Sequence, residues 1–180
     1  MVDWSKAKEL VYKEAGDPHT VLWLWVVNNV LASFIFPARI RTQLLRLCGL
    51  KLHPRTIVRG RVIFRSANVT AGPGTVISYG CIFDTREGIT IGRNVGIGAG
   101  VSFQTSDHDM SDPTRRSGKP RGAPITVGDG ARIAVNSTVL PGATIGDGTV
   151  IGACSLVRGE CEPHSLYVGI PAQKKRDLPR

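Results

Sequence analysis

Aromatic side chains are scarce in this sequence: they make up 6% of 180 residues, whereas glycine occurs 21 times. This scarcity argues against a core built from large rings and favours many tight turns around small aliphatic side chains. Because 42% of the residues are hydrophobic and 21% are charged, a chain disordered throughout is excluded. We therefore expect one ordinary folded domain.

Long apolar runs and paired cysteines are also missing. The longest apolar stretch, Val21 to Phe36, has 16 residues and is interrupted by Asn28, Asn29 and Ser33, whereas a membrane-spanning helix needs roughly 18–20. We find no pattern typical of a secretory leader and expect a cytoplasmic protein. The four cysteines form no CxxC pair, and we interpret them as reduced.

Acidic residues are absent from residues 18–83, while eight basic residues lie between Arg39 and Arg65. This segment carries almost the whole formal net charge of +9. A basic surface favours an anionic partner, but the segment has no recognisable nucleic-acid-binding motif, so we expect no nucleic acid partner. Three alternatives stay open for the segment: a solvated basic rim, a face toward anionic lipid and a contact with an anionic substrate.

Aliphatic residues recur every six positions in the C-terminal third. They are Val127, Ile133, Val139, Ile145, Ile151 and Val157. Neither the period of a helix nor the alternation of a simple strand explains this spacing, which is the length of one short strand plus one tight turn. It predicts a mainly β fold, a three-sided parallel prism of about five coils with one hexapeptide on each face. We extend the same inward phase to two earlier groups, Ile57, Ile63 and Val69, and Ile91, Ile97 and Phe103.

The segments outside the repeat divide the chain further. We predict helices over residues 4–15, 19–36 and 38–48, with Pro37 as a break. Residues 1–50 are then an α-helical cap over the open end of the prism, and residues 51–173 are the prism, interrupted by a polar excursion loop at 104–125. Residues 174–180 are a basic tail. The alternative is that these helices form an amphipathic segment in peripheral contact with the inner membrane face.

The run GDGARIAVNSTVLPGATIGDGTVIGACSLV, followed by VGIPAQKKR, resembles the hexapeptide-repeat acyltransferase family, most closely its maltose, galactoside and capsule O-acetyltransferase branch. The match covers residues 54–176 and implies a left-handed parallel β-helix that assembles as a homotrimer. It also implies acetyl-CoA, or another acyl-CoA, as co-substrate without a metal. Coenzyme A would lie in the groove between two prisms.

The resemblance implies a role for His108, which follows Phe103 in ITIGRNVGIGAGVSFQTSDHD, as the general base. Imidazole suits this task because it exchanges protons near neutral pH. Asp84 aligns with an acid that touches the sugar acceptor, and Ser78 stands where the family usually has Asn. Further candidates for substrate contacts are Asp107, Asp109 and Arg115.

For the donor, the resemblance implies backbone contacts at Ala134, Gly152 and Ala153 and phosphate contacts at Arg158, Lys174 and Arg176. Arg and Lys are the side chains that phosphates favour. The sequence departs from the family where Arg132-Ile133-Ala134 replaces Trp-Ile-Gly, and where Ile170-Pro171-Ala172-Gln173 replaces Asn-Pro-Ala-Lys. The sequence therefore leaves two donors open, acetyl-CoA and an acyl-CoA with a longer acyl group.

Together these observations predict an acetyl-CoA-dependent O-acetyltransferase acting on a hydroxyl of a carbohydrate or polyol. An N-acyltransferase for an amino sugar is the alternative enzyme, because the same base and fold serve both reactions. A non-catalytic scaffold is a third interpretation. A metal enzyme of the trimeric carbonic-anhydrase kind needs three convergent histidines, and the four histidines here include no closely spaced pair.

Overall fold

The computed structural model describes residues 17–180, so the helix predicted over residues 4–15 lies outside the described part of the chain. Helix α1 (Pro18–Trp25) continues directly into a π-helical segment (Val26–Leu31), and α2 (Ala38–Leu47) follows after a break. Asp17 caps α1 by accepting hydrogen bonds from the backbone N–H groups of His19 and Thr20 at 2.9 and 3.2 Å. Within the described residues, no helix has both the length and the hydropathy that a bilayer crossing requires.

After α2 the chain consists of short strands joined by turns. The strands are β1 (Lys51–Leu52), β2 (Ile57–Val58), β3 (Ile63–Phe64), β4 (Val69–Ala71), β5 (Val76–Ile77), β6 (Ile82–Asp84), β7 (Ile89–Ile91), β8 (Gly96–Ile97), β9 (Ser102–Gln104), β10 (Ser106–His108), β11 (Pro120–Gly122), β12 (Ile125–Val127), β13 (Arg132–Ile133), β14 (Thr138–Val139), β15 (Thr144–Ile145), β16 (Val150–Ile151), β17 (Leu156–Val157), β18 (Glu160–Cys161), β19 (Ser165–Val168) and β20 (Gln173–Asp177).

Three sheets form the sides of a left-handed parallel β-helix. Sheet A is β1-β4-β7-β12-β15-β18, sheet B is β2-β5-β8-β13-β16-β19-β20, and sheet C is β3-β6-β9-β14-β17. In the later coils, neighbouring strands pair residues 18 apart, as Thr126 with Thr144 and Arg132 with Val150, which is three hexapeptides. Sheet A contains six strands, so the prism has six coils rather than the five expected. We call its edges the A–B, B–C and C–A corners after the sheets that the turns there join.

The aliphatic residues predicted to point inward in the C-terminal third are all buried. In the first coil the predicted phase is wrong by one residue, because Val58 and Phe64 point inward whereas Ile63 is 41% exposed and Ile57 is half-buried. Each of these strands carries two adjacent apolar residues, so the alternation of side chains does not tell which of the two points inward. Inside the prism Phe64 stacks on Phe83 with ring centroids 5.0 Å apart, a contact between coils that the periodicity does not reveal.

The helical segment closes the N-terminal end of the prism. Val27, Leu31 and Leu45 join its hydrophobic core. The side chain of Asn28 donates to the carbonyl oxygen of Phe64 at 3.0 Å and accepts from its N–H at 2.9 Å, as a preceding strand would. This docking covers backbone groups that the first coil would otherwise leave unpaired.

The helical structure ends at Leu31, five residues before the predicted end at Phe36. The residue before Pro37 avoids helical conformation because of steric conflict with the proline ring. The segment between is held by Arg41, which is buried and bonded to four backbone carbonyl oxygens. These belong to Leu31, Val58, Ser33 and Phe36, at 2.6, 3.1, 2.5 and 2.8 Å.

The outer faces of the three sheets differ in polarity. Sheet A presents only exposed polar residues at its paired outward positions: Lys51, Thr70, Thr90, Thr126, Thr144 and Glu160. Sheet B presents Ile57, Val76, Gly96, Arg132, Val150 and Leu166, and sheet C presents Ile63, Ile82, Ser102, Thr138 and Leu156. Two faces of the prism are therefore largely apolar and one is polar.

The C-terminal residues form part of sheet B. We predicted a basic tail from residue 174, but Gln173–Asp177 forms β20, which pairs antiparallel with β19. Lys174 makes ion pairs with Glu162 at 2.8 Å and with Asp177 at 2.7 Å. These pairs raise the pKa of Lys174, chiefly through the bond to Asp177, and lower that of Asp177.

Candidate functional site

The excursion loop leaves the prism at the C–A corner, because it connects β9 of sheet C to β12 of sheet A. Its two ends form a hairpin in which β10 pairs antiparallel with β11, and His108 lies opposite Pro120 at the last paired position. His108 is exposed. The hairpin therefore fixes the backbone of His108 while its side chain remains accessible.

The imidazole of His108 has one backbone partner. Its Nδ1 lies 3.1 Å from the carbonyl oxygen of Gly118, across the hairpin. Since a carbonyl oxygen only accepts, this contact places the hydrogen on Nδ1 and leaves a lone pair on Nε2. A general base needs this tautomer in a fixed orientation.

Two carboxylates flank His108 along the chain and shape the hairpin. Asp107 accepts a hydrogen bond from the backbone N–H of His108 at 2.8 Å and pairs with Arg121 at 3.2 Å. Both contacts lower the pKa of Asp107, the amide contact most. Asp109 accepts from the backbone N–H and hydroxyl of Ser111, which lowers its pKa too. The imidazole of His108 thus contacts the carbonyl oxygen of Gly118, whereas the two carboxylates bond the backbone of His108 and the side chains and backbone of Ser111 and Arg121.

Asp84 lies beside the strand that carries His108. It ends β6 of sheet C, and its half-buried carboxylate accepts a hydrogen bond from the hydroxyl of Ser106. Ser106 and His108 are two residues apart on β10, so their side chains project to the same side of that strand. The C–A corner thus brings the sequence-predicted residues Asp84 and His108 into one region.

Arg115 lies near the tip of the excursion. Its Nε is 3.3 Å from the carbonyl oxygen of Ser117. Together with Asp109, Lys119 and Gly118, it lines a cavity of about 490 Å³. Gly118 also contacts the imidazole of His108, but His108 itself does not line this cavity.

A second set of predicted residues lines a groove on sheet B. This groove has a volume of about 410 Å³, and Ser78, Ala134 and Ala153 lie along it with Val135 and Gly98. Gly98 is needed here, because a Cβ at that position would lie 2.6 Å from the backbone nitrogen of Val135. Besides Ser78 and Arg132, the lining consists of aliphatic side chains and glycines, and exposed backbone groups there could bond the amides of a slender chain such as pantetheine. Gly152 directly precedes Ala153 at the same corner.

The three basic residues predicted for phosphate contacts occupy two places. Lys174 and Arg176 lie on β20 at the C-terminal end of sheet B. Arg158 follows β17 at the C–A corner and is exposed. Within a single prism these residues do not form one cluster.

Sequence reasoning missed three residues of the His108 region. They are Gly118, which contacts the imidazole, Ser106, which bonds Asp84, and Arg121, which pairs with Asp107. The contact from Gly118 uses a backbone atom, which no residue-type pattern reveals. The positions of Arg121 and Ser106 depend on the hairpin register, for which the polar excursion gave no signal. Among residues 17–180, no three metal-ligating side chains converge.

Comparison with known proteins shows similarity to transferases. Residues 124–159 match the family model described as bacterial transferase hexapeptide (six repeats). The galactoside O-acetyltransferase of Escherichia coli K12 is 34% identical over 90 residues, which are 50% of this chain and 44% of that protein. An acetyltransferase-like protein of Schizosaccharomyces pombe is 40% identical over 111 residues, which are 62% of this chain and 54% of that protein. The chain therefore spans about half the length of the curated relatives it matches.

Two solved structures share nearly the whole fold. A maltose O-acetyltransferase from Clostridium difficile 630 superimposes with a TM-score of 0.80 and 28% identity, over 96% of this chain and 90% of that chain. A hexapeptide-repeat-containing acetyltransferase from Vibrio cholerae, complexed with acetyl coenzyme A, has a TM-score of 0.77 and 25% identity over 100% and 94% of the two chains. In its repeats and its prism, the chain is similar to hexapeptide-repeat transferases, among them the galactoside and maltose O-acetyltransferases.

Proposed function

We propose that this protein is an acetyl-CoA-dependent O-acetyltransferase that acts on a hydroxyl group of a carbohydrate, with His108 as general base. The observation that carries the proposal is the contact between Nδ1 of His108 and the carbonyl oxygen of Gly118, which leaves Nε2 as the acceptor of a proton. The O-acetyltransferases among the relatives support the same reaction class, since their names specify galactoside and maltose acceptors.

The reaction needs one proton acceptor and no covalent enzyme intermediate. Nε2 of His108 takes the proton of the acceptor hydroxyl while that oxygen bonds to the thioester carbon. The carbon–sulfur bond breaks, the thiolate leaves, and the proton on His108 passes to it. Acetyl-CoA supplies an activated acyl group with a good leaving group, so the enzyme needs no nucleophile of its own. General base catalysis typically raises the reaction rate by about 10²–10⁴-fold.

The groove on sheet B is the proposed donor site. The backbone of Ala134, Gly152 and Ala153 would hold the pantetheine chain, and Lys174 and Arg176 would bind the phosphates. Lys174 already makes ion pairs with Glu162 and Asp177. We therefore expect Lys174 to contribute less to phosphate binding than Arg176.

The assembly that fits these sites is a homotrimer. The donor groove includes Ser78, Ala134 and Ala153 in the turns that follow strands of sheet B, so it lies at the B–C corner. His108 and Arg158 lie at the C–A corner. A threefold axis joins the two when the B–C corner of one protomer lies beside the C–A corner of its neighbour. Sheet B of one protomer then faces sheet A of its neighbour, and sheet C remains in solvent.

The acceptor side of the proposed site consists of Asp84, Ser78, Asp107, Asp109 and Arg115. Asp84 has the strongest case, because its carboxylate is half-buried beside the strand of His108 and can accept a second hydrogen bond from a sugar hydroxyl. Asp107 and Asp109 would act mainly by holding the hairpin in shape, and Arg115 would contact an acceptor that enters the cavity it lines.

The test is release of free thiol from acetyl-CoA in the presence of a panel of sugars and matched amino sugars. We expect release with at least one hydroxyl acceptor and an O-acetyl ester as product. An N-acetyl product formed only from amino sugars would replace the O-acetyltransferase assignment with the N-acyltransferase. An absence of both thiol release and acetyl-CoA binding would favour a scaffold.

We also propose that the cap contacts an anionic membrane surface, at the cytoplasmic face. Leu22, Trp25 and Leu47 are 60%, 57% and 85% exposed in a segment that has many basic and no acidic residues. Flotation with phosphatidylglycerol vesicles should weaken in a double variant, Leu22→Ser with Trp25→Ser. Ile170, 74% exposed beyond the last coil, provides the control Ile170→Ser. Equal flotation of all three proteins, or none by the wild type, would remove the membrane proposal.

A further inference from the structure

Aromatic and basic side chains meet at the N-terminal end of the B–C corner, where the cap joins the first two coils. Tyr79 lies in the turn after β5, and its ring centroid is 5.9 Å from that of Phe34 in the cap. The guanidinium carbon of Arg59 lies over the Tyr79 ring, 5.5 Å from its centroid. That of Arg61 lies over the Phe34 ring at 5.3 Å. We call these four residues the aromatic–arginine cluster.

The cluster carries positive charge without a matching carboxylate. Arg59 and Arg61 are exposed, and within residues 17–180 neither takes part in an ion pair. A guanidinium whose face rests on an aromatic ring keeps the N–H donors at its edge for another partner. Arg59 uses one of these donors on the hydroxyl of Tyr79, at 3.3 Å. Its other donors and those of Arg61 can therefore bind an anion.

A depression of about 180 Å³ opens beside the cluster. Phe34, Tyr79 and Arg59 contribute to its lining. Arg41, which is buried, lines it too. The side chain of Arg41 bonds four backbone carbonyl oxygens, and in the part of the chain that the structure describes it makes no ion pair. An anion in the depression would thus meet a desolvated positive charge, whose attraction is stronger than in water.

The cluster continues the proposed donor groove within one protomer. Ser78 lines that groove, and Tyr79 is the next residue along the chain. With the phosphates of coenzyme A at β20, beyond the sixth coil, the acyl end of the donor would point toward Ser78 in the second coil. A molecule held by the cluster would therefore lie at the acyl end of the donor.

We propose that the aromatic–arginine cluster and the depression beside it bind an acidic sugar, a pyranose that carries a carboxylate. The inference rests on the proposed function in taking this sugar as the acceptor. A carboxylate is flat and singly charged, so the free edge of Arg59 can bind it through two parallel hydrogen bonds. The C–H groups of a pyranose ring are weakly polar, and Phe34 and Tyr79, which are 61% and 44% exposed, offer aromatic surface for them.

Calorimetry tests the site without the reaction. Methyl glucuronide and methyl galacturonide should bind about 10–100-fold more tightly than the matching neutral methyl glycosides, the usual effect of hydrogen bonds to a charged group. Arg59→Gln should abolish this preference. Arg55→Gln is the control, because it removes one exposed charge at the A–B corner and should keep the preference. No preference in the wild type, or a preference kept by Arg59→Gln, would overturn the inference.

Arg61 allows a second variant that spares the backbone. Its φ is +58°, in the left-handed region that glycine adopts readily. The corresponding corner position is Gly80 in the second coil, with a φ of +67°. Arg61→Gly should therefore fold normally and reduce the preference for the uronides. An unchanged preference in this variant, together with one kept by Arg59→Gln, would remove both arginines from the site.

The variant Arg59→Gln also distinguishes other occupants of the cluster. Its acetyl-CoA affinity and its mass in light scattering should equal those of the wild type. A loss of acetyl-CoA affinity would show that the cluster holds the donor, and a fall in mass would show that it lies in the subunit interface. Equal binding of uronides and neutral glycosides, with weaker flotation of this variant on phosphatidylglycerol vesicles, would assign the cluster to the membrane surface. Each of these results would overturn the inference.

Thiol release from acetyl-CoA connects the site to the reaction. We expect kcat/KM to be higher for a methyl uronide than for the neutral glycoside by a factor similar to that in binding, and Arg59→Gln should remove the difference. If no sugar is acetylated while uronide binding depends on Arg59, the proposed function fails and the binding site stands. Acetylation of neutral glycosides without any uronide binding would overturn the inference and leave the transferase assignment intact.

Discussion

Gly118 and His108 face each other across the β10–β11 hairpin, with the Gly118 carbonyl oxygen 3.1 Å from Nδ1 of the imidazole. The carbonyl belongs to a backbone that is itself tied down, because the N–H of Gly118 donates to the carbonyl oxygen of Asp109 at 2.9 Å. A short loop thus selects the tautomer of the proposed base without a carboxylate partner.

Moving this carbonyl should slow the reaction. A Cβ at residue 118 would lie 2.6 Å from the carbonyl oxygen of Asp109, so Gly118→Ala must shift the hairpin. We expect kcat to fall about tenfold, as for a misoriented base, with the KM for acetyl-CoA unchanged because the donor groove lies on sheet B. Ser117→Ala is the control. Equal kcat values for both variants would show that the carbonyl does not position the imidazole.

The buried Arg41 should be the most sensitive position of the cap. Replacing it by Met would leave four backbone carbonyl oxygens without their donor. Unpaired buried acceptors cost about 1–3 kcal/mol each, so we expect the free energy of unfolding to fall by about 3 kcal/mol or more in urea denaturation. Arg39→Met, on the exposed side of the same helix, should change it by less than about 0.5 kcal/mol. Similar losses for both variants would contradict the assigned role.

Trimer assembly should depend on sheet B and not on sheet C. Val150 lies on the outer face of sheet B, and we expect Val150→Lys to lower the mass in light scattering from three chains toward one. Ile82 is 39% exposed on the outer face of sheet C, and Ile82→Lys should leave the mass unchanged. A wild-type protein that is monomeric and fully active would contradict the shared site.

The β19–β20 pairing should depend on pH through Lys174 and Asp177. Because the bond to Lys174 lowers the pKa of Asp177 from 3.8, the pair stabilises the fold above pH 3.8 and loses this effect as the pH falls further. The pKa of Lys174 is raised from 10.5, so its contribution is complete below pH 10.5 and disappears as the pH rises through the higher folded value. Hydrogen exchange of the β20 amides, corrected for intrinsic rates, should accelerate on acidification. Lys174→Met should abolish this response, and Lys175→Met should keep it.

Much of the fold follows from the sequence because the six-residue period is strict in the later coils. The sequence did not determine the phase of the first coil, where Ile57-Val58 and Ile63-Phe64 offer adjacent apolar residues and the contacts between coils decide which one points inward. It predicted His108 and the sheet B groove only through the family resemblance. The contact with Gly118 depends on a hairpin register that residue types do not encode.

The role of His108 as general base is tested most directly by the turnover of His108→Ala, measured together with its assembly and its acetyl-CoA binding. We expect kcat to fall by roughly 10²–10⁴, while the mass in light scattering and the acetyl-CoA affinity from calorimetry stay at wild-type values, because the donor groove and the outer faces of sheets A and B are untouched. A variant that assembles, binds acetyl-CoA and keeps more than about a third of the wild-type turnover would contradict the role of His108 as the base.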